Sequence, residues 1–176
     1  ALLFGGKLAR VETRVDGKGA GAQVMMRSAA ALSGARHADQ TSLVAFNATG
    51  CTTRQIHRAA LKDRARGVFQ GKFFVARGSQ QTDAEMNAGA LLLSDMAEAS
   101  HKPELEIYAD DVKCAHGSTA GALDENAIFY MRQRGLSEHA ARALLVEAFL
   151  GEVFDGLPAG IEHILRGQLS RWLEGV

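Results

Sequence analysis

At 176 residues the chain is long enough for one domain with a sizeable core, or one domain with a small appendage. Its 20 Lys and Arg balance its 20 Asp and Glu, so no net field draws it to nucleic acid or to an anionic membrane. Two prolines with 47% apolar residues exclude a disordered or collagen-like chain, and two cysteines, Cys51 and Cys114, do not make a secreted disulfide framework.

Reduced thiols fit a cytoplasmic protein. No apolar run approaches the ~18–20 residues of a membrane span, and no signal peptide is present. The opening Ala1-Leu2-Leu3-Phe4-Gly5-Gly6 has no initiator Met and reads as the middle of a fold.

Residues 1 to about 122 carry strand signals. Val11, Thr13 and Val15 alternate with Glu12 and Arg14, a period of two. Further strands are expected at Gln23–Met26, Ser42–Phe46, Cys51–His57, Val68–Val75 and Glu104–Tyr108. Asp16-Gly17, Ser33-Gly34, Thr49-Gly50, Gly67, Gly71 and Gly78 punctuate them as turns. Ala88–Ala99 has a composition that suits a short helix, but Leu91–Leu93 is assigned to strand. Strand and helix do not alternate. A sandwich, a barrel and a β-solenoid all remain open, because no repeat of fixed length chooses among them.

After Leu123 the period changes to about 3.6. Asp124 is placed to cap a helix, with Leu123 and Ile128 as its hydrophobic staple and Gly135 as its C′ residue. Ser137 caps a second helix, with apolar positions Ala141, Leu144, Leu145, Ala148 and Phe149, ended by Gly156. Pro158 suits the first position of a third, which carries Ile161, Ile164, Leu165, Gln168, Leu169, Trp172 and Leu173 on one side. Three short helices have limited core, so part of that side is expected to be free for another chain.

The chemistry concentrates between Leu105 and Gly121. Cys114 and His116 are two apart, and on a strand such residues share a face. A soft and a borderline ligand would then project together, a geometry suited to iron, zinc or a sulfur-carrying site. The plain alternative for Cys114 is a small buried apolar residue. Asp110 and Asp111 point to opposite faces and read as turn residues. His37 and Asp39 share a face and read as a hydrogen-bonded pair. Cys51 reads as structural. The basic run Arg54, His57, Arg58, Lys62, Arg64, Arg66 lacks the aromatic neighbours of a nucleic-acid patch and reads as a solvated sheet face. Neither a phosphate-binding G-x-x-x-x-G-K-[ST] loop nor a G-x-S-x-G elbow occurs.

The run LEIYADDVKCAHGSTAGALDENAIFYMRQRGLS (Leu105–Ser137) resembles the signature region of the SufD branch of the SufB/SufD family, subunits of the SufBCD iron–sulfur cluster assembly complex. GVFQGKFFVARGSQQTDAEMNAGALLLS (Gly67–Ser94) and HADQTS (His37–Ser42) fit the same family, so the resemblance runs from about His37 to about Val153. It departs at Gln81, where the family usually has Lys.

The resemblance implies a mainly β fold: a right-handed parallel β-helix over residues 1–122, followed by a small helical domain over 123–176. It also implies that a large N-terminal part of the subunit precedes this chain. The implied role is a non-catalytic scaffold, with no catalytic residue and no stably bound cofactor. It would pair with SufB through the β-helix and dock the SufC ATPase on its helices, with a homodimer possible in isolation. Neither nucleic acid nor membrane would be a partner. An iron–sulfur cluster would be present transiently, with His116 as the metal contact at the SufB interface and Cys114 as a candidate sulfur or iron contact. A SufB-type sister subunit and a purely structural β-helix module are the alternatives. A β-helix lyase or acyltransferase finds no hexapeptide repeat and no clustered acids to support it.

Overall fold

The computed structural model describes residues 1–175. Among them nine strands alternate between two sheets. One sheet runs β1 (Leu2–Leu3), β3 (Gln23–Leu32), β5 (Thr52–Leu61), β7 (Thr82–Leu92), β9 (Val112–Gly121). The other runs β2 (Ala9–Gly17), β4 (His37–Phe46), β6 (Arg66–Val75), β8 (Glu98–Ile107). Every pair is parallel, and the full-length pairs are offset by 29 to 32 residues. Each coil therefore lays one strand in each sheet, which makes a parallel β-solenoid.

The repeat is hidden in the sequence because coil length varies and the inward rows repeat size, not identity. Ala30, Ala59 and Ala90 stack in one row, and Leu32, Leu61 and Leu92 in the next. Val44, Phe73 and Leu105 form another across the lumen. The corners also stack. Gly21 and Gly50 adopt φ 70° and 68°, and Gln81 holds the equivalent corner at φ 60°. Gln81, where the resemblance departs, is thus a left-handed corner that an unbranched side chain tolerates at some cost.

Strand boundaries differ from the sequence expectation along most of the solenoid: β3 runs on from Met26 to Leu32, β4 starts at His37 and not Ser42, and β7 begins at Thr82, where only Leu91–Leu93 was expected. The Glu104–Tyr108 strand begins earlier, at Glu98, because Pro103 sits on an edge strand where its missing N–H is harmless. Leu91 and Leu92 close β7, while Leu93 already belongs to the corner. His57 and Arg58 are buried, which corrects the reading of the basic run as a solvated face. His57 points into the lumen, and Arg58, its chain neighbour, points outward beneath the helices.

Three helices follow β9: α1 (Glu125–Gln133), α2 (Glu138–Gly151), extended by a 3₁₀ turn (Glu152–Phe154), and α3 (Ala159–Leu173). The Asp124 side chain accepts from Asn126 N at 2.9 Å, and Leu123 and Ile128 are both buried. Gly135 N and Leu136 N bond back to Arg132 O and Met131 O, closing α1 in a Schellman motif with Gly135 at φ 92°. Ser137 caps α2 through Ala140 N. Pro158 precedes α3 as its cap and is not its first helical residue.

The helices pack on the outer face of the odd-numbered sheet. Ala29, Ala31 and Ala60 share one apolar cluster with Val146, Leu150, Val153, Phe154 and Leu169. Gly89 permits the approach: a Cβ there would lie 3.1 Å from the Phe149 ring. The buried face of α2 is rotated from the expected one. Ala141, Val146 and Leu150 are buried, whereas Leu144 and Ala148 are exposed, because the helix is wedged between the sheet and its two neighbours. On α3, Leu169 and Leu173 are buried and Trp172 packs against the cluster; Ile161 and Ile164 remain exposed. No described helix is long and apolar enough to cross a membrane.

Candidate functional site at the open end of the solenoid

The lumen is built from facing rows, and side-chain contacts fix which rows face. Gln55 Nε2 donates to Ser42 Oγ at 2.6 Å. His57 stacks on Phe69 with centroids 4.6 Å apart. Met86 lies against Gly71, where a Cβ would come 2.4 Å from its sulfur. One coil further on, register carries these rows to His116 (beside Met86), Ser118 (beside Ala88), Pro103 (beside Gly71) and His101 (beside Phe69). His116 therefore faces Pro103, and Ser118 faces His101. The second pair is in contact, with His101 Nδ1 and Ser118 Oγ 2.9 Å apart.

β8 and β9 end their sheets, so among the described residues no further coil covers these side chains. His116 is exposed and Cys114 half-buried against the lumen cluster that contains Ala84 and Leu105. Burial pushes the Cys114 thiol up, partly offset by a hydrogen bond from the Ala84 backbone. At neutral pH it stays a thiol until a metal displaces its proton. Burial pushes His101 down. Beneath it, the fully enclosed His57 is pushed down to about 3, by burial first and then by the charges of His101 and Arg58.

The two edges differ. β8 carries Pro103, Lys102 and Glu104, features that discourage strand addition. β9 has Lys113 as its sole charged residue, no proline, and exposed residues on both faces. Its backbone edge and its lumen face are both exposed.

Cys114 and His116 share one face of β9, as their spacing indicates. The remaining candidates lie elsewhere. Cys51 is buried in a corner, with Sγ 3.3 Å from Ala48 O. Asp110 and Asp111 form the turn between β8 and β9. His37 and Asp39 lie on the outer face of the even-numbered sheet, where Asp39 meets Arg10 at 3.7 Å. Among the described residues no group of three or more His, Cys, Asp or Glu is gathered to hold a metal. His101 and Ser118 were not found by sequence reasoning. The period-two pattern through His101, Pro103 and Leu105 is the signal that could have found His101.

The class of protein is that of parallel β-solenoids with a helical layer on one sheet. Residues 1–149 match the family described as SUF system FeS cluster assembly, SufBD core domain, and the chain belongs to that family. The iron–sulfur cluster assembly protein SufD of Escherichia coli is 34% identical over 176 residues, covering 99% of this chain and 42% of the relative. A SufBD family protein of Synechocystis is 36% identical over 168 residues, 95% of this chain and 37% of the relative. A chloroplastic protein of Arabidopsis thaliana is 35% identical over 125 residues, 70% of this chain and 26% of the relative. The chain thus spans less than half the length of these relatives.

Proposed function

We propose that the chain is the later part of a SufD-type scaffold subunit, non-catalytic itself, on which a nascent iron–sulfur cluster is assembled at Cys114 and His116. The observation that carries this reading is β9, an unguarded edge strand that holds a thiol and an imidazole toward an open lumen. SufB is the partner that adds to this edge, and a second copy of the chain competes for it when SufB is absent.

The cluster is cargo here, not a resident cofactor. The His116 imidazole offers a lone pair to iron, and Cys114 offers a thiolate once iron has displaced its proton. Two ligands fall short of the four that hold a stable cluster, so SufB supplies the others. The division into a β-helix unit (1–122) and a helical unit (123–176) gives the second task to the helices: docking the SufC ATPase. Val176 lies outside the described residues. Nucleotide cycling in SufC would move the helical unit and open the interface at β9. The free thiols of Cys51 and Cys114 support a cytoplasmic setting.

The test is cluster assembly by the full complex. His116→Ala is expected to lower the assembly rate at least tenfold while SufB and SufC still co-purify, and Cys114→Ser to have a smaller effect. An unchanged rate in the His116→Ala complex would place the site elsewhere.

A further inference from the structure

We propose that His101 completes a two-imidazole face with His116, and that this face holds one borderline divalent cation such as iron(II). The inference rests on the reading of His116 as an assembly site and extends it to the opposite strand. His116 and Ser118 are neighbours on the lumen face of β9, about 7 Å apart along the strand. His101 touches Ser118 from β8, at 2.9 Å. The two imidazoles therefore occupy adjacent rows at the same open end.

The His101 ring is held before any metal arrives. It stands edge-on to Phe69, with centroids 6.2 Å apart, and edge-on to His57 at 5.9 Å. An imidazole that ligates through one nitrogen is oriented by a hydrogen bond from the other. The tautomer that ligates is the one in which Nδ1–H donates to Ser118 Oγ and Nε2 keeps the lone pair.

A hydroxyl–imidazole pair also occurs deeper in the lumen, where His57 Nδ1 lies 2.9 Å from Ser28 Oγ, between adjacent strands of one sheet and sealed from solvent. The outer pair instead bridges the two sheets across the lumen, where an ion can reach it. Two nitrogen ligands leave coordination positions open for thiolate, sulfide or a partner's side chains, in keeping with the scaffold role, and imidazole suits iron, zinc and cobalt.

The experiment titrates cobalt(II) under anaerobic conditions into the full-length protein and follows its ligand-field absorption. His101→Ala and His116→Ala are each expected to weaken binding at least tenfold, and Ser118→Ala about tenfold through loss of ring orientation. His101→Gln, which conserves volume, serves if the alanine variant does not fold. Wild-type affinity in a folded His101 variant, beside a loss in His116→Ala, overturns the two-imidazole face and leaves the reading of His116 standing. Wild-type affinity in His116→Ala overturns both, whereas no cobalt binding by the wild type overturns the two-imidazole face and leaves the reading of His116, whose further ligands come from SufB, standing.

Discussion

Arg58 and Glu152 meet through two hydrogen bonds, Nε to Oε2 at 2.8 Å and Nη2 to Oε1 at 3.1 Å. They join β5 to the 3₁₀ turn after α2. The buried guanidinium also donates from Nη1 to the His57 carbonyl at 2.9 Å and to Asn87 Oδ1 at 2.8 Å. It lies 5.5 Å from the Phe149 ring centroid. Four of the five N–H donors of this arginine are thus used.

Glu152→Ala removes the counter-charge and leaves the guanidinium buried. The expected loss is about 1.5–3 kcal/mol, the range for a hydrogen bond to a charged group. It falls below the cost of breaking a fully buried pair because Glu152 is half exposed. Denaturant unfolding measures the loss. Hydrogen exchange should show α2 losing protection while β4–β6 keep theirs; full retention in α2 would mean that the apolar cluster alone holds the helices.

His57 makes stability depend on pH. Its folded pKa is about 3, against an ordinary 6.5, so between these values the unfolded chain binds more protons than the folded one. Stability is therefore complete above pH 6.5 and falls as pH drops toward 3, by up to about 1.4 kcal/mol per unit. His101, displaced in the same direction, adds to the slope just below 6.5. His57→Gln should flatten the curve of unfolding free energy against pH in this window. A slope equal to the wild type's would assign the effect to other groups.

The two sides of α3 should respond differently to substitution. Leu169 is 1% exposed, and Leu169→Ala is expected to cost about 2–5 kcal/mol. Ile161 and Ile164 are 51% and 62% exposed, and changing both to Gln should move stability by no more than about 0.5 kcal/mol per site. Under the docking reading, the same double variant should lose binding to the ATPase in a pull-down while its melting temperature stays close to wild type. Retained binding would move the docking surface off this face.

How much of this was legible in the sequence depended on how local the signal is. The α1 cap, its staple and its Gly135 terminus are set within a dozen residues, and all were readable from Leu123 to Leu136. The shared face of Cys114 and His116 follows from strand alternation alone. The burial of His57 and Arg58 was not readable, because it depends on Phe69, Glu152 and Asn87, brought in from other coils and from the helices. His101 was missed for a similar reason. Pro103 is compatible with a strand only at a sheet edge, and edge position is a property of the stack. The solenoid itself was chosen by resemblance, since coil length drifts from 29 to 32 residues.

His57 and Arg58 are joined by one peptide unit and face opposite ways. A strand cannot tilt one face without tilting the other. Any displacement of α2 that drags Arg58 through Glu152 is delivered, at the next Cα, to the imidazole packed against Phe69 and His101. β5 thus joins the helical layer to the floor of the open end through a single peptide unit. The hydrogen-bonded ladders to β3 and β7 spread any such load over a plank of three strands.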